Sequence, residues 1–223
     1  MYIKNRIVAL IFRCLIIAAC SAGLVLNVFT RQGRFHSESL IYYTNLSNLI
    51  CLLYFLILAA RMVICLKDDT KGAVTLVPRM KGAFTLMITV TMLVYHFLLA
   101  GGKAPVYNGI NFQRWLSNLL LHYAAPAMVI LDWVLFDPKR VFRIFDPLLW
   151  LIIPLLYAIF TLIRAEIGGE MVGRGSRFPY FFLDIDAIGW GGMLGYVGVF
   201  AVVFAALGYI IVLLDRKAFG KNR

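Results

Sequence analysis

Apolar runs long enough to cross a hydrocarbon core of ~30 Å recur along this chain, and a soluble fold has no place for so many of them. Hydropathy marks them as Ile7–Phe29, Leu40–Leu66, Gly82–Ala100, Gln113–Phe136, Pro147–Ala165 and Trp190–Leu214. They lack the alternation of barrel strands, and hydrocarbon offers no partner to an open strand edge, so each is expected to be a helix. The expected fold class is therefore all-α: a polytopic membrane protein, a bundle of six transmembrane helices forming one domain over residues 1–223. Composition agrees, with 62% hydrophobic and 15% charged residues and a mean hydropathy of +0.85. A soluble domain carries about a quarter charged residues. Both a soluble single-core domain and a disordered chain are excluded.

The net charge is +11. The basic residues flank the apolar runs, so they speak for membrane orientation and anionic lipid rather than for nucleic acid, and no nucleic-acid partner is expected. One set of flanks carries Lys4, Arg6, Arg61, Lys67, Lys71, Arg79, Lys81, Lys139, Arg140, Arg143, Arg216, Lys217, Lys221 and Arg223. The other carries Arg31, Arg34, Lys103, Arg114, Arg164, Arg174 and Arg177. The first set is roughly twice as large, which predicts cytoplasmic termini in a bacterial inner membrane or a eukaryotic endomembrane or plasma membrane. Lys4, Arg6 and the run Ile17-Ala18-Ala19-Cys20 resemble a lipoprotein leader. Arg13 interrupts that stretch and hydrophobicity continues to Phe29, so an uncleaved first helix is expected. Cys14, Cys20, Cys51 and Cys65 have no metal-ligand or redox spacing and read as small buried hydrophobes, and no metal or cofactor is expected.

Polar groups inside apolar runs are costly and face the bundle interior, so they are the informative residues. Thr44, Ser47, Asn48 and Cys51 share one helical face. Thr85, Thr89 and His96 form a second stripe, and Ser117, Asn118 and His122 a third. Ser and Thr in such positions commonly bond their own helix carbonyls or glue helices together. A titratable ring is an expensive choice for packing, which sets His96 and His122 apart. Helix rise places Thr44 and His96 near the outer boundary, with His122 one or two turns deeper. Pro126 lacks the N–H that would bond the His122 carbonyl, so a kink and a free acceptor are expected there. The same loss at Pro154 reads as an ordinary kink.

The segment from Glu166 to Gly189 is too long for a simple turn. Its aromatic run from Phe178 to Leu183 suits either an interfacial anchor or a lid that dips into the bundle. Asp184 can orient a histidine or cap the sixth helix, and the sequence leaves both roles open. Arg13 and Asp132 lie at similar depth near the cytoplasmic boundary and are expected to pair. Gly191, Gly195 and Gly198 form a small-residue face suited to close helix packing.

These residues carry a resemblance. Tyr42-Tyr43-Thr44-Asn45-Leu46, then Trp115-Leu116-Ser117-Asn118 with His122, Pro126 and Asp132, then Phe178 to Asp184, follow the order found in the androgen-induced protein family. That family includes the androgen-dependent TFPI-regulating protein, and its members are multi-pass hydrolases of fatty acid esters of hydroxy fatty acids. The resemblance spans most of the chain at low identity, through short motifs. It implies Thr44 as nucleophile and His122 as its base. An additional histidine of the family near the Trp-Leu-Asn segment is missing here, and His96 has no counterpart.

The expected function is an intramembrane lipid-ester hydrolase acting on such esters or similar acyl lipids, with a lipid or fatty-acyl substrate as its partner. A threonine hydroxyl needs a base to take its proton. Donors for the negative oxygen are sought among Asn45, Asn48, Asn118 and His96, with Asp184 beside the same outer pocket. Two other readings remain open from sequence: a small-solute or proton transporter or channel with His96 and His122 as relays, and a non-catalytic lipid-binding membrane protein. Repeat symmetry and paired broken helices of the usual transporter kind are not visible.

Overall fold

The computed structural model describes residues 3–29, 33–64, 75–107 and 111–217. Cys65 and the flanking Arg31, Lys67, Lys71, Lys221 and Arg223 lie outside the described residues, as does the expected end of the second run at Leu66. Six helices are long and apolar enough to span a membrane: α1 Arg6–Val28, α2 Tyr43–Ile64, α3 Pro78–Leu99, α4 Phe112–Phe136, α5 Asp146–Gly168 and α6 Ile185–Lys217. The protein is an all-α, multi-pass membrane protein. Large apolar side chains lie exposed on these helices, among them Ile57 at 60% and Val202 at 71%, as lipid-facing surfaces require.

Local chemistry sets the helix ends. Asn5 Oδ1 accepts from the Ile7 and Val8 N–H groups and starts α1. At the other end of α1, Gln113 Nε2 donates to the Leu26 and Phe29 carbonyls, at 2.9 and 2.7 Å. Asn111 Oδ1 accepts from Arg114 N–H and opens α4. Pro78 occupies the first turn of α3, four residues before the expected start, where a missing N–H costs nothing. In α5 the regular helix breaks at Leu151, between Asp146–Trp150 and Ile152–Gly168. The cause is Pro154, which cannot bond the carbonyl of Trp150. In α6, Gly189 takes φ 67° and ψ 170° and separates a first turn from the helix that follows, so the main helix begins at the expected Trp190.

The chain divides into two compact units, Met1–Phe142 with Leu214–Arg223, and Arg143–Leu213. In the first, α1 packs on α2 and α4, and α3 on α2 and α4. Its core holds Ile16, Cys20, Cys51, Phe55, Leu58, Ile88, Leu121 and Val129. Gly23 lets α1 approach α4 closely, since a Cβ there would lie 2.8 Å from Leu121 Cγ and 3.1 Å from Leu120 Cβ. At the C-terminal end of α6, Asp215 Oδ2 accepts from the Val141 and Phe142 N–H groups and fixes the segment after α4.

The end of this unit far from Thr44 holds a buried ion cluster. Arg13 Nε donates to Asp132 Oδ1 at 2.9 Å, the expected pair, and Arg13 Nη1 reaches Met62 Sδ. Two further members were not foreseen. Lys81 Nζ pairs with Asp132 and with Asp137 Oδ1, the latter at 2.6 Å, and Arg13 Nη2 lies 3.5 Å from Asp137 Oδ1. The place of Lys81 just before an apolar run suggests a flanking charge, but it is only 1% exposed. Two cations and two carboxylates cancel, which is how four charges are tolerated at this depth.

In the second unit the Phe178–Leu183 run packs against its own two helices. Tyr180 meets Tyr157 of α5 and stacks on Phe182, and Phe182 meets Tyr196 and Phe200 of α6. Arg164 Nη1 donates to the Gly169 and Arg177 carbonyls and ties the loop to α5. Arg177 forms a two-pronged pair with Asp186 and a contact with Glu166. The Asp186 bond is the main cause holding its guanidinium above the usual arginine value. Beside the small-residue face of α6, the space in front of Gly191, Gly195 and Gly198 is open.

Candidate active site

Thr44 sits in the first turn of α2, and His122 lies about midway along α4. Their side chains meet, with Thr44 Oγ1 3.2 Å from His122 Nε2. Helical side chains lean toward the N-terminus of their own helix, and the imidazole does so here. Its Nδ1 lies 3.2 Å from the Asn118 carbonyl, one turn back. That lean closes the depth difference between the two residues.

The Asn118 contact also sets the tautomer. A carbonyl can only accept, so Nδ1 carries the proton in the neutral ring. Nε2 then presents its lone pair to the threonine hydroxyl, which donates. This is the arrangement of a base before a nucleophile. His122 is 6% exposed, while Thr44 is half-buried, so the base is sheltered and the hydroxyl stays reachable.

His96 and His122 both lie in π turns, Val94–Leu99 in α3 and Leu120–Ala124 in α4. Such turns add a residue to the helical register, and they are frequent at functional sites. The turn in α4 changes the effect of Pro126. Ala125 N–H bonds the Leu120 carbonyl, and the Leu121 carbonyl, next in that five-residue register, faces Pro126, which has no N–H to give it. Asn48 Nδ2 donates to it at 3.1 Å.

That bond revises the role sought for Asn48. Its amide also donates to the Thr44 carbonyl at 2.8 Å, so both N–H groups are committed and none is left for a negative oxygen. Asn48 instead ties the first turn of α2 to the π turn of α4. Asn45 is committed in the same way, to Asn27 Oδ1 at 2.7 Å and the Ser39 carbonyl at 2.6 Å. Asn118 differs: its side-chain amide makes no hydrogen bond among the described residues, and it lies one turn from His122.

His96 does not join Thr44 or Asn48. Its Nδ1 lies 3.0 Å from the Tyr123 hydroxyl. Asp184 is a helix cap, the second of its two open roles. Its Oδ1 accepts from the Asp186 and Ala187 N–H groups, and its Oδ2 accepts from Ser176 Oγ at 2.6 Å, so both oxygens are engaged within its own loop and helix start. Ser47, Thr85, Thr89 and Ser117 bond carbonyls of their own helices. Ser47 additionally meets Thr91 of α3 at 2.9 Å.

One neighbour of the pair was missed. The Tyr95 ring stacks on His122, with centroids 3.6 Å apart and planes 20° apart. The only sequence signal was the dipeptide Tyr95-His96 in one span against His122-Tyr123 in the next. No metal-binding group of His, Cys, Asp and Glu occurs among the described residues. No family model matches the chain. No curated protein and no solved structure matches it either.

Proposed function

We propose that this chain is an intramembrane hydrolase of lipid esters, with Thr44 as nucleophile and His122 as its base. The observation that carries the reading is the 3.2 Å contact between Thr44 Oγ1 and an Nε2 whose lone pair the Asn118 carbonyl leaves free. In the first step the hydroxyl oxygen bonds the ester carbonyl carbon while its proton passes to Nε2. The tetrahedral intermediate expels the alcohol oxygen, which takes the proton from the imidazolium. Water then adds to the acyl-threonine, giving one proton to Nε2. The acid leaves, and that proton returns to Thr44. The Asn118 amide is the uncommitted donor closest in sequence to the base, and we assign it to the developing oxyanion.

The substrate class follows from location and from the resemblance. A reacting centre inside a membrane bundle is supplied from the bilayer, so the ester belongs to an acyl lipid, and fatty acid esters of hydroxy fatty acids fit that description. The excess of basic residues in one set of flanks supports cytoplasmic termini, with Thr44 toward the opposite face, even after Lys81 is removed from the count. The test is turnover of such an ester by the purified chain in liposomes. Thr44→Ala and His122→Ala are each expected to abolish it. Wild-type rates in both variants would remove the mechanism.

A further inference from the structure

We infer that Tyr95 is a positioning residue for this reaction: its ring fixes the plane of the His122 imidazole and favours the positive charge the imidazole takes up. The inference rests on the hydrolase reading and adds a residue to it. The Nδ1 to Asn118 contact of 3.2 Å is at the long end for a hydrogen bond, so it sets the direction of the proton better than the tilt of the ring. The stack supplies what that bond lacks, because a second ring at 3.6 Å blocks rotation out of plane. Tyr95 is itself braced, with the Tyr123 ring edge-on to it at 6.0 Å and 87°.

The fold arranges this deliberately at the backbone level. Tyr95 and His122 both lie in π turns, on two helices that pack against each other. As Nε2 takes the threonine proton, the ring becomes a cation facing an aromatic surface, an attraction strongest when sheltered from water. It acts on the transition state more than on bound ester, so it raises kcat rather than lowering KM. The Tyr95 hydroxyl makes no hydrogen bond among the described residues, so the ring alone is expected to suffice.

The experiment compares Tyr95→Leu with Tyr95→Phe in the ester-turnover assay, with Thr44→Ala as the inactive reference. Tyr95→Leu is expected to lower kcat about tenfold with KM unchanged, and Tyr95→Phe to restore it. Equal losses in both variants, or full activity in Tyr95→Leu, would overturn the role while leaving the hydrolase standing if Thr44→Ala is dead. An inactive wild type would fail the hydrolase reading, and this inference with it. A second readout needs only the wild-type chain. In the proton spectrum of the detergent-solubilised protein, the His122 ring signals, assigned by their loss in His122→Gln, are expected upfield of those of His36, the chain's exposed third histidine. Unshifted His122 signals would refute the stack directly.

Discussion

Neutralising Asp132 tests whether the ion cluster is held by charge balance. Its four side chains are between 0% and 4% exposed, and Asp132 is the partner shared by Arg13 Nε and Lys81 Nζ. Asp132→Asn keeps the shape but leaves two cations facing Asp137 alone. Breaking one partner from a buried pair costs about 3–5 kcal/mol, because the remaining charge is stranded away from water. Lys81→Met strands the opposite sign and should cost a similar amount. The double variant returns the cluster to one cation and one carboxylate, Arg13 and Asp137, at 3.5 Å. Replacing a whole buried pair is often close to neutral, so the double variant should be more stable than either single one. The assay is unfolding of the purified chain in mixed detergent, followed by helical signal, as a double-mutant cycle. Additive losses, or single losses below about 1 kcal/mol, would show that these charges are solvated and that the cluster does not hold α1, α3 and α4 together.

Asp184→Ala removes the cap of α6 and is expected to lower stability by about 1 kcal/mol, with Asp184→Asn retaining most of it. A loss of turnover at unchanged thermal midpoint would instead give Asp184 a part in the chemistry. Gly23→Val forces α1 away from Leu120 and Leu121 in the π turn and is expected to cost about 1–3 kcal/mol. An unchanged midpoint would mean that the two helices do not approach as closely as a 2.8 Å Cβ contact requires.

The spans were legible because bilayer thickness imposes a length that hydropathy detects directly. Their ends were less so. Hydropathy stops at a charge, whereas α3 runs through Lys81 and α6 through Asp215 and Arg216, because those helices neutralise or expose their charges locally. His122 stood out because a histidine is rare inside a span, whereas Thr44 is one of several span hydroxyls and was singled out only by the order of motifs that carries the resemblance. The commitments of Asn45 and Asn48 could not be read, since a side chain's donors are spent only once its neighbours are known. The π turns also left no mark in composition. They bring the Leu121 carbonyl to Asn48, and they carry both Tyr95 and the imidazole it stacks on.

Labelling the purified protein with a long-chain fluorophosphonate, followed by peptide mapping, tests the central claim most directly. The reagent reacts with an activated hydroxyl and needs no knowledge of the natural ester. A phosphonylated Thr44, lost in His122→Ala, is the result expected from a hydroxyl held 3.2 Å from its base. An unlabelled Thr44, or labelling that persists at full rate without His122, would contradict it.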